Sequence, residues 1–529
     1  MCQKNRGVAM TTFEDIKKAL WAGADTFRDT IDAANYKDYV LSMLFVKFLS
    51  DTYKEKVEEL AKQYKGVRLE RQKEHLFFQL KEEHTFDYLL ENKNSISIGQ
   101  KINHALAEIE RSNPILDGIF RGIDFNSQVV FGTKEQKNPM LRNLLDDFAD
   151  LDLRPKQIAT NKEQIPADVI GDAYEYMIGE FATMSGKKAG TFFTPQEVSE
   201  IMAQIVYPQP KDRVYDPTCG SGSLLIRTAK KGGLEKVAIY GQEVSNSTIS
   251  LARMNMFLHA ITDAKILQGD TLAQPKHLDS DGNLMKFDCI VANMPFSKDK
   301  WASGFNPGGE VSGRKDFVME ASLDRWHRFD WGIPPASKGD WAFLLHMIAS
   351  MSPSGRVAAV APHGVLFRGA SEGRIRREIV DKNLVDAVIG LPENLFYGTS
   401  IPACIIVFKK GKTNTDVLFI DASGKDNYEK NKAKNKLRVR DIEKIVNVYR
   451  AYLKGNKKAA NVEKYSHVAT LKEIKDNEYN LNIPRYVDTF EEEEQIDISA
   501  VNAEIENIKG KIAKVEKEMG EYLEELGVG

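Results

Sequence analysis

The sequence predicts an α/β domain with a mostly parallel sheet, which an α-helical domain precedes and one long helix follows. Short β-rich segments alternate with helical segments from about residue 165 to residue 410, a pattern typical of parallel strands covered by helices. The residues before this region show helical spacing without strand segments. Apolar residues near the end of the chain repeat every three or four positions, as in a coiled-coil helix.

A chain of 529 residues is expected to hold two or three domains. The predicted segments are a helical domain at 10–165, the α/β domain at 166–410, a charged C-terminal region at 411–495 and a heptad helix at 496–529. The predicted strands are 213–216, 237–242, 264–268, 287–292, 356–361, 385–390 and 403–408. The predicted helices between them are 223–231, 245–260, 340–352 and 370–382. Parallel sheets bind ligands at the carboxyl ends of their strands, so residues that follow a strand are the candidate site residues.

The last segment carries an apolar stripe about four heptads long, the a/d seam of a coiled coil. Its members are Ile498, Val501, Ile505, Ile508, Ile512, Val515, Met519, Tyr522 and Leu526. Gly510 and Gly520 each weaken this helix by roughly 1 kcal/mol relative to alanine. We therefore expect the helix to need a partner, either within this chain or in another subunit.

Composition argues against several classes of protein. A net charge of −3 is low for a free-standing DNA-binding protein, so a partner would have to supply much of any contact with DNA. The four cysteines lie far apart and neither CxxC nor HExxH spacing occurs, so we expect no metal site. No apolar run is long enough to span a bilayer, and the first residues lack the apolar core of a signal peptide. These features predict a cytoplasmic protein without membrane contact.

The segment RVYDPTCGSGSLLIRTAKK (213–231) predicts a strand, a glycine-containing turn and a helix. Gly220 and Gly222 allow a tight turn and a close approach of the backbone to a ligand. The helix that begins near Ser223 offers free N–H groups at its N-terminus. Asp216 ends the strand, and its carboxylate would repel the phosphates of a dinucleotide. The same carboxylate suits the cationic amino group of S-adenosylmethionine.

Two further acids follow the next two predicted strands. VAIYGQEVS (237–245) contains Glu243, which is placed to accept hydrogen bonds from ribose hydroxyls. ILQGDTL (266–272) contains Asp270, which is placed to accept a hydrogen bond from an adenine amino group. A single acid at a strand end is usually a solvated side chain. Three acids at successive strand ends together predict S-adenosylmethionine as the cofactor.

The segment FDCIVANMPFSKD (287–299) predicts a buried strand followed by a tetrapeptide that resembles the [DNS]-P-P-[YF] motif of amino-methyltransferases. The exocyclic amine of adenine is a poor nucleophile because its lone pair is delocalised into the ring. The Asn293 side-chain oxygen and the Met294 carbonyl would accept its N–H groups and shift the nitrogen towards sp³ geometry, ready for in-line attack on a sulfonium methyl group. Phe296, after Pro295, would stack on a base flipped out of the duplex. Met294 departs from the commoner proline, which leaves the carbonyl but relaxes the φ restriction.

The chain as a whole resembles the modification (M) subunits of type I restriction-modification systems, a family of N6-adenine DNA methyltransferases. DPTCGSGSLL (216–225) closely matches the family's glycine turn, and YKDYVLSMLFVKFLSD (36–51) is similar to its helical domain. NEYNLNIPRYVD (477–488) is similar to a segment typical of these subunits. GTFFTPQEV (190–198) is similar to the motif that closes over the methionine part of the cofactor.

A further segment, LPENLFYGTSIPACIIVFKK (391–410), looks like a later strand of the family's catalytic domain, with Phe396 and Tyr397 near the target base. The resemblance implies a Rossmann-like S-adenosylmethionine-dependent methyltransferase domain that acts on adenine N6 in double-stranded DNA. The implied catalytic residues are Asn293, Met294, Pro295 and Phe296. The implied cofactor-binding residues are Thr191, Phe192, Phe193, Thr194, Pro195, Gln196, Asp216, Gly220, Ser221, Gly222, Ser223, Glu243 and Asp270.

The resemblance also implies partners. A specificity (S) subunit would choose the DNA sequence, and a restriction (R) subunit and a second M subunit would complete the complex. The heptad helix is a candidate surface for the S subunit. Candidate phosphate contacts are the basic stretch 425–440, the arginines at 374, 376 and 377, and the cluster Arg325–Arg328.

Several alternatives remain open on the residues alone. The chain could be a solitary DNA methyltransferase or a cytosine N4 enzyme, although the latter more often has serine at position 293. A nucleotide-binding assembly protein without turnover is a third reading. A C5-cytosine enzyme is excluded because no Pro-Cys dipeptide occurs, and a protein-glutamine methyltransferase would leave the helical domain and heptad helix unexplained. An ATP-driven motor is excluded because Ile406 stands where the first glycine of a phosphate loop belongs, before Gly411.

Overall fold

The computed structural model describes residues 10–161, 164–184, 193–305, 319–396, 399–431, 434–489 and 498–527. The chain divides into two compact units, Met1–Val487 and Asp488–Gly529. The helices are α1 Phe13–Arg28, α2 Ala33–Gln63, α3 Val67–Lys73, α4 Phe86–Glu91, α5 Ile98–Ser112, α6 Gln128–Phe131, α7 Lys134–Asp147, α8 Pro166–Met184, α9 Gln196–Val206, α10 Ser223–Gly232, α11 Asn246–Leu258, α12 Asp340–Ser350, α13 Gly364–Phe367, α14 Ala370–Asp381, α15 Val439–Leu453, α16 Lys457–Ala460, α17 Leu471–Asp476 and α18 Ile498–Glu525. The strands are β1 Arg213–Asp216, β2 Ala238–Glu243, β3 Lys265–Gln268, β4 Phe287–Asn293, β5 Met351–Pro362, β6 Val385–Gly390, β7 Ala403–Lys409, β8 Val417–Asp421 and β9 Ser466–Ala469.

The strands form one sheet in the order β3-β2-β1-β4-β5-β7-β6-β8-β9. The first five run parallel to one another, and β7 is inserted antiparallel between β5 and β6. All seven predicted strands are confirmed, with ends that coincide or shift by one residue except at the start of β5. The strand order reverses between β1 and β4, and sheets of this kind bind ligands beside such a reversal.

Helices cover both faces of the sheet, as the alternating pattern predicts. One apolar core contains residues of α9, α10, α11 and α15, and it packs on one face. The other contains residues of α12 and α14 together with Tyr486, which stacks on Phe419 of β8 at a centroid distance of 3.9 Å. Because both faces are buried, the central strands carry apolar residues on both faces, as in IVA of β4 and VAAVA of β5, rather than alternating apolar and polar residues.

The sheet continues beyond the predicted end of the α/β domain at residue 410. β8 pairs in parallel with β6, and β9 pairs antiparallel with β8. The region 411–495, which we expected to be a charged region outside the α/β domain, therefore supplies two strands and α15 to that domain. The apolar run of β8 (VLFI) is only four residues long and is flanked by polar residues, so its strand character is weak in the sequence.

The N-terminal helical domain shares its core with the α/β domain. The predicted helical character of the N-terminal domain is confirmed, and α1, α2, α5 and α7 contribute to one apolar cluster with α8. Four residues of α11 belong to the same cluster, namely Leu251, Met254, Phe257 and Leu258. α8 and α11 therefore join the two domains through buried apolar side chains rather than through a flexible linker.

The heptad segment forms the single long helix α18 within the second unit. Its apolar a/d residues are exposed from Val501 to Leu526. Whether this stripe forms a coiled coil stays a prediction. In the part of the chain that the structure describes, no helix has the length and apolar character needed to cross a membrane.

The contact between α8 and α11 depends on a glycine. A Cβ on Gly171 of α8 would lie 2.5 Å from the Cε1 and Nε2 atoms of His259, which directly follows α11. We predict that Gly171→Ala lowers the free energy of unfolding by about 1–3 kcal/mol, because the buried ring cannot give way without moving α11. Denaturant unfolding measures this change.

Gly373 of α14 provides a matched control, because it is also helical but an added Cβ would meet nothing closer than 3.7 Å. Gly373→Ala is expected to be neutral or to stabilise the chain by about 0.5–1 kcal/mol. Equal effects at the two positions would contradict the steric account of the α8–α11 contact.

Candidate active site

The glycine turn lies at the carboxyl end of β1, beside the reversal in strand order. Gly220 (φ 54°) and Gly222 (φ 80°) both adopt the left-handed conformation that other residues reach only with strain. A Cβ on Gly222 would also lie 3.1 Å from the Met256 side chain. Because α10 begins directly after Gly222, its first N–H groups are available at the turn. The predicted order of strand, turn and helix is confirmed.

Two buried carboxyl groups flank this turn. Asp216 is 1% exposed, and its Oδ1 accepts a hydrogen bond from the backbone N–H of Thr218 at 2.8 Å. Glu243 accepts hydrogen bonds from the N–H of Gly220 at 3.1 Å and the N–H of Ser245 at 2.8 Å. Glu243 thus ties the end of β2 to the glycine turn. Burial raises the pKa of Asp216 to about 8, and it also raises the pKa of Glu243.

The third predicted acid, Asp270, follows β3 on a loop that is tied to the same turn. Its Oδ1 accepts hydrogen bonds from the N–H groups of Leu272 at 2.9 Å and Ala273 at 3.2 Å. The hydroxyl of Thr271 donates to the Pro217 carbonyl at 2.5 Å. The loops after β1, β2 and β3 are therefore joined by hydrogen bonds.

Asn293 joins the two hollows that surround these acids. A narrow recess beside the glycine turn is lined by Phe193, Thr194, Asp216, Thr218, Cys219, Gly220, Ser221, Ser223, Leu224 and Asn293. A cavity of about 270 Å³ at the ends of β2 and β3 is lined by Pro217, Thr218, Glu243, Val244, Ser245, Thr248, Gly269, Asp270, Thr271, Asn293, Pro295, Lys298 and Phe343. Because Asn293 and Thr218 line both hollows, the tetrapeptide and the glycine turn open on one site.

The tetrapeptide is held rigidly at the end of β4. Asn293 is the last residue of that strand, and the Met294 side chain is buried. The Ser297 N–H donates to one carboxylate oxygen of Asp340 at 2.6 Å, while Arg368 donates to the other at 2.9 Å. This buried ion pair fixes the turn that follows the tetrapeptide against the start of α12.

Phe296 lies outside both linings and packs edge-on against Phe396 at a centroid distance of 6.1 Å. The loop that carries Phe396 is held by Lys434, whose ammonium donates to the carbonyls of Phe396 at 2.5 Å and Thr399 at 3.3 Å. Burial lowers the pKa of Lys434. The two aromatic rings that we expected near the target base are thus adjacent, whereas the third, Tyr397, lies outside the described residues.

Only part of the segment 191–196, which we expected to bind the cofactor, lines the recess. Phe193 and Thr194 line the recess. Pro195 precedes α9 and Gln196 begins it, and Gln196 lines a different cavity, bounded by α8 and α10. Gln196 is therefore not brought to the recess, because the chain has already turned into the helix. Outside the described residues lie Thr191 and Phe192.

Comparisons with known proteins agree with this geometry. The family model described as N-6 DNA Methylase matches residues 166–495, more than half of the chain. A second model, described as HsdM N-terminal domain, matches residues 16–148. The chain therefore belongs to the N-6 DNA methylase family. Its two matched regions correspond to the α/β domain and the helical domain of the structure.

Relatives identify the branch of this family as the methylase subunits of type I restriction enzymes. The MpnII methylase subunit of Mycoplasma pneumoniae is 33% identical over 97% of this chain and 96% of its own length. The MjaVIII methylase subunit of Methanocaldococcus jannaschii is 30% identical over 95% of this chain and 83% of its own length. The crystal structure of the type I restriction-modification system methyltransferase subunit from Streptococcus thermophilus superposes with a TM-score of 0.77 at 36% identity, covering 90% of this chain and all of that one.

The long insertion of this methylase subunit, between β4 and α12, is anchored by Arg328. The guanidinium is fully buried and pairs with Asp324 at 2.8 Å. It also donates to the carbonyls of Thr271 at 3.3 Å and Leu272 at 2.5 Å, and to the His346 ring at 3.0 Å. Arg328 therefore holds the insertion to the loop that carries Asp270. We expected it to contact phosphates, and that expectation was wrong because the side chain has no access to solvent.

A second predicted phosphate contact is also buried. Arg376 donates to the carbonyls of Tyr479 at 2.8 Å, Val365 at 3.3 Å and Arg368 at 2.8 Å, so it supports the C-terminal part of the domain. Arg374 and Arg377 are exposed, and Arg377 lies over the Tyr479 ring. These two arginines remain candidates, as do the exposed residues of 425–440.

Sequence reasoning missed several residues of the site. Val244, Ser245 and Thr271 directly follow predicted acids, so inspection of the next positions would have found them. Lys298 follows the tetrapeptide closely and could have been found in the same way. Phe343 lies on α12, far along the chain from the other lining residues, and nothing in its local sequence points to the site.

The buried carboxyl group of Asp216 predicts a pH dependence of stability. Its pKa is raised in the folded chain, so the folded state holds this proton more tightly than the unfolded state. Its contribution to stability is therefore complete near pH 4 and is lost as the pH rises through about 8.

We predict that Asp216→Asn stabilises the protein at alkaline pH by roughly 2–5 kcal/mol more than it does at pH 5. Denaturant unfolding at both pH values measures the difference, and the exposed Asp263→Asn provides a control that should keep the parental pH profile. A parental profile in Asp216→Asn would contradict the assignment.

Proposed function

We propose that this chain is the modification subunit of a type I restriction-modification complex and transfers a methyl group from S-adenosylmethionine to N6 of adenine in double-stranded DNA. The observation that carries the proposal is the position of Asn293, which lines both the recess at Asp216 and the cavity at Glu243 and Asp270. A group that positions the target amine must lie beside the reactive methyl group, between the methionine part and the nucleoside part of the bound cofactor. Asn293 alone among the tetrapeptide residues lines both hollows.

The residues of the two hollows fit S-adenosylmethionine. Burial raises the pKa of the Asp216 carboxyl group, and the ammonium group of the methionine part would stabilise its ionised form. Glu243 has oxygens that can accept from ribose hydroxyls at the cavity, and Asp270 lies on the same wall. The acids also disfavour a dinucleotide, because phosphates would meet negative charge at the glycine turn.

When bound, S-adenosylmethionine supplies an electrophilic methyl group. The Asn293 side-chain oxygen and the Met294 carbonyl accept the two N–H groups of the adenine amine and keep its lone pair directed at that methyl group. Phe296, which is partly exposed and packs against the buried Phe396, offers aromatic surface for a base that has left the duplex. Asp340, Arg368 and Lys434 hold these groups in place, so positioning rather than a strong base accounts for the rate.

We further propose that a separate specificity subunit selects the DNA sequence. The exposed apolar stripe of α18 provides a helical surface suited to a partner helix. The net charge of −3 agrees with shared DNA contacts, since the chain alone has no basic excess. A second M subunit and a restriction subunit complete the proposed complex, which acts in the cytoplasm where the DNA is accessible.

We predict that Asn293→Ala lowers the methyl-transfer rate at least about 100-fold while cofactor affinity changes little, because the amide acts on the amine rather than on the cofactor. Transfer of tritiated methyl groups to DNA, with the specificity subunit present and absent, measures the rate. Equilibrium binding of S-adenosylmethionine measures the affinity. Asn283→Ala, in the exposed connection between β3 and β4, is the matched control and should retain full activity.

The products separate the remaining alternatives. N6-methyladenine in the digested DNA supports the proposal, whereas N4-methylcytosine would assign the chain to the cytosine enzymes. Site-specific methylation without a specificity subunit would identify a solitary methyltransferase. Full activity of Asn293→Ala would contradict the proposed role of the tetrapeptide.

A further inference from the structure

A cluster of buried polar side chains contacts the glycine turn without lining the recess. Glu175 of α8, Asn255 of α11 and the adjoining His259 are 3%, 0% and 1% exposed. The cluster lies where the helical domain and the α/β domain share their core. Buried polar groups destabilise a fold unless they are hydrogen-bonded, so we expect a polar cluster at this position to have a structural role.

Asn255 is the link between this cluster and the turn. Its amide nitrogen Nδ2 donates to the carbonyl of Ser221 at 3.0 Å, and it lies 3.4 Å from Ser223 Oγ and 3.5 Å from Glu175 Oε1. Every one of these groups can accept a hydrogen bond, so the orientation of the amide is fixed. The opposite atom, Oδ1, has no hydrogen-bond partner among the described residues. The hydrogen bonds of Nδ2 in this orientation therefore stabilise the fold by more than the unsatisfied Oδ1 destabilises it.

Glu175 connects the amide to the helical domain. Its second carboxylate oxygen lies 3.8 Å from Arg227 of α10, and Oε1 lies 3.7 Å from Nε2 of His259. Glu175 belongs to α8, whose apolar side packs in one cluster with α1 and α2. A displacement of α8 relative to α11 would therefore move the acceptor that orients Asn255.

We infer that Asn255 and Glu175 are positioning residues that set the conformation of the glycine turn from the contact between α8 and α11. This inference rests on the proposed binding of S-adenosylmethionine at that turn. Ser221 lies between Gly220 and Gly222, which both adopt the left-handed conformation, and the Gly222 N–H donates to the Cys219 carbonyl at 2.8 Å within the turn. The Ser221 carbonyl belongs to the same peptide group, so the bond from Asn255 holds the other end of that group and helps the recess keep the shape that its lining requires.

Glu243 and Asn255 hold adjacent residues of the turn. Glu243 accepts the Gly220 N–H, while Asn255 donates to the Ser221 carbonyl. Successive residues of the turn are thus held by the end of β2 and by α11. Neither Asn255 nor Glu175 lines the recess, so they influence the cofactor only through the turn.

The test uses the full chain and two isosteric substitutions, which together exchange the amide and the carboxylate between positions 255 and 175. Asn255→Asp replaces the donor by an acceptor that faces the Ser221 carbonyl and Glu175, and we expect affinity for S-adenosylmethionine to fall by about tenfold or more. Adding Glu175→Gln provides an amide that can donate to the new carboxylate, and we expect it to recover part of the lost affinity. In the parental chain, Glu175→Gln should instead weaken binding slightly. Isothermal titration calorimetry measures all four affinities.

The opposite sign of the Glu175→Gln effect in the two backgrounds distinguishes coupling through Asn255 from a general loss of stability. Glu180→Gln, on the same helix, is the matched control and should leave the affinity unchanged in both backgrounds. Thermal melting checks that each variant is folded. If Asn255→Asp unfolds the chain, Asn255→Ser carries the test, because its hydroxyl is too short to reach the Ser221 carbonyl and should also weaken binding.

The outcomes separate this inference from the proposed function. If the parental chain binds no S-adenosylmethionine, the proposed cofactor is wrong. If the parental chain binds it and folded Asn255→Asp or Asn255→Ser binds it equally well, the cofactor assignment stands and the positioning role is overturned. The same effect of Glu175→Gln in both backgrounds would also overturn the inferred link to the helical domain. A KM for the cofactor that rises while kcat stays near the parental value supports the inference.

Discussion

The burial of Asp216 beside the glycine turn is the constraint around which the rest of the site is arranged. A carboxyl group that is almost inaccessible to solvent, with its pKa raised to about 8, is costly to ionise unless a cation approaches it. The chain keeps it there with the N–H of Thr218 and keeps the adjoining turn in shape with Glu243 and Asn255. A cationic ligand at this position would stabilise the ionised carboxylate, whereas a phosphate would be repelled by it.

The fold brings this acid and the tetrapeptide together through the order of its strands. β1 and β4 are neighbours at the reversal in the sheet, so Asp216 and Asn293 end adjacent strands although they lie far apart in sequence. The insertion after the tetrapeptide is then held back to the β3 loop by Arg328. The helical domain adds support from behind, because α8 and α11 share one core. The site residues themselves belong to the α/β domain, and the helical domain supports them through this shared core.

Much of this arrangement could be predicted because its signals are local. The acids at three successive strand ends and the tetrapeptide stand directly after apolar runs, and the structure brings Asp216, Glu243, Asp270 and Asn293 around two hollows that share Asn293. The burial of Arg328 could not be predicted, because a basic residue in a polar insertion reads as solvated unless its acceptors are known. Asn255 and Glu175 gave no signal either, since their meeting depends on how two helices pack. The strands β8 and β9 were missed because both are short: the apolar run of β8 is four residues long, and β9 at the sheet edge contains serine and histidine.

The central claim is that a neutral Asp216 becomes charged when a cationic cofactor binds. Calorimetric titration with S-adenosylmethionine at about pH 7, in buffers of different ionisation enthalpy, counts the protons exchanged on binding. The account predicts release of close to one proton by the parental chain and none by Asp216→Asn. Binding without proton release, or equal release by the variant, would contradict it.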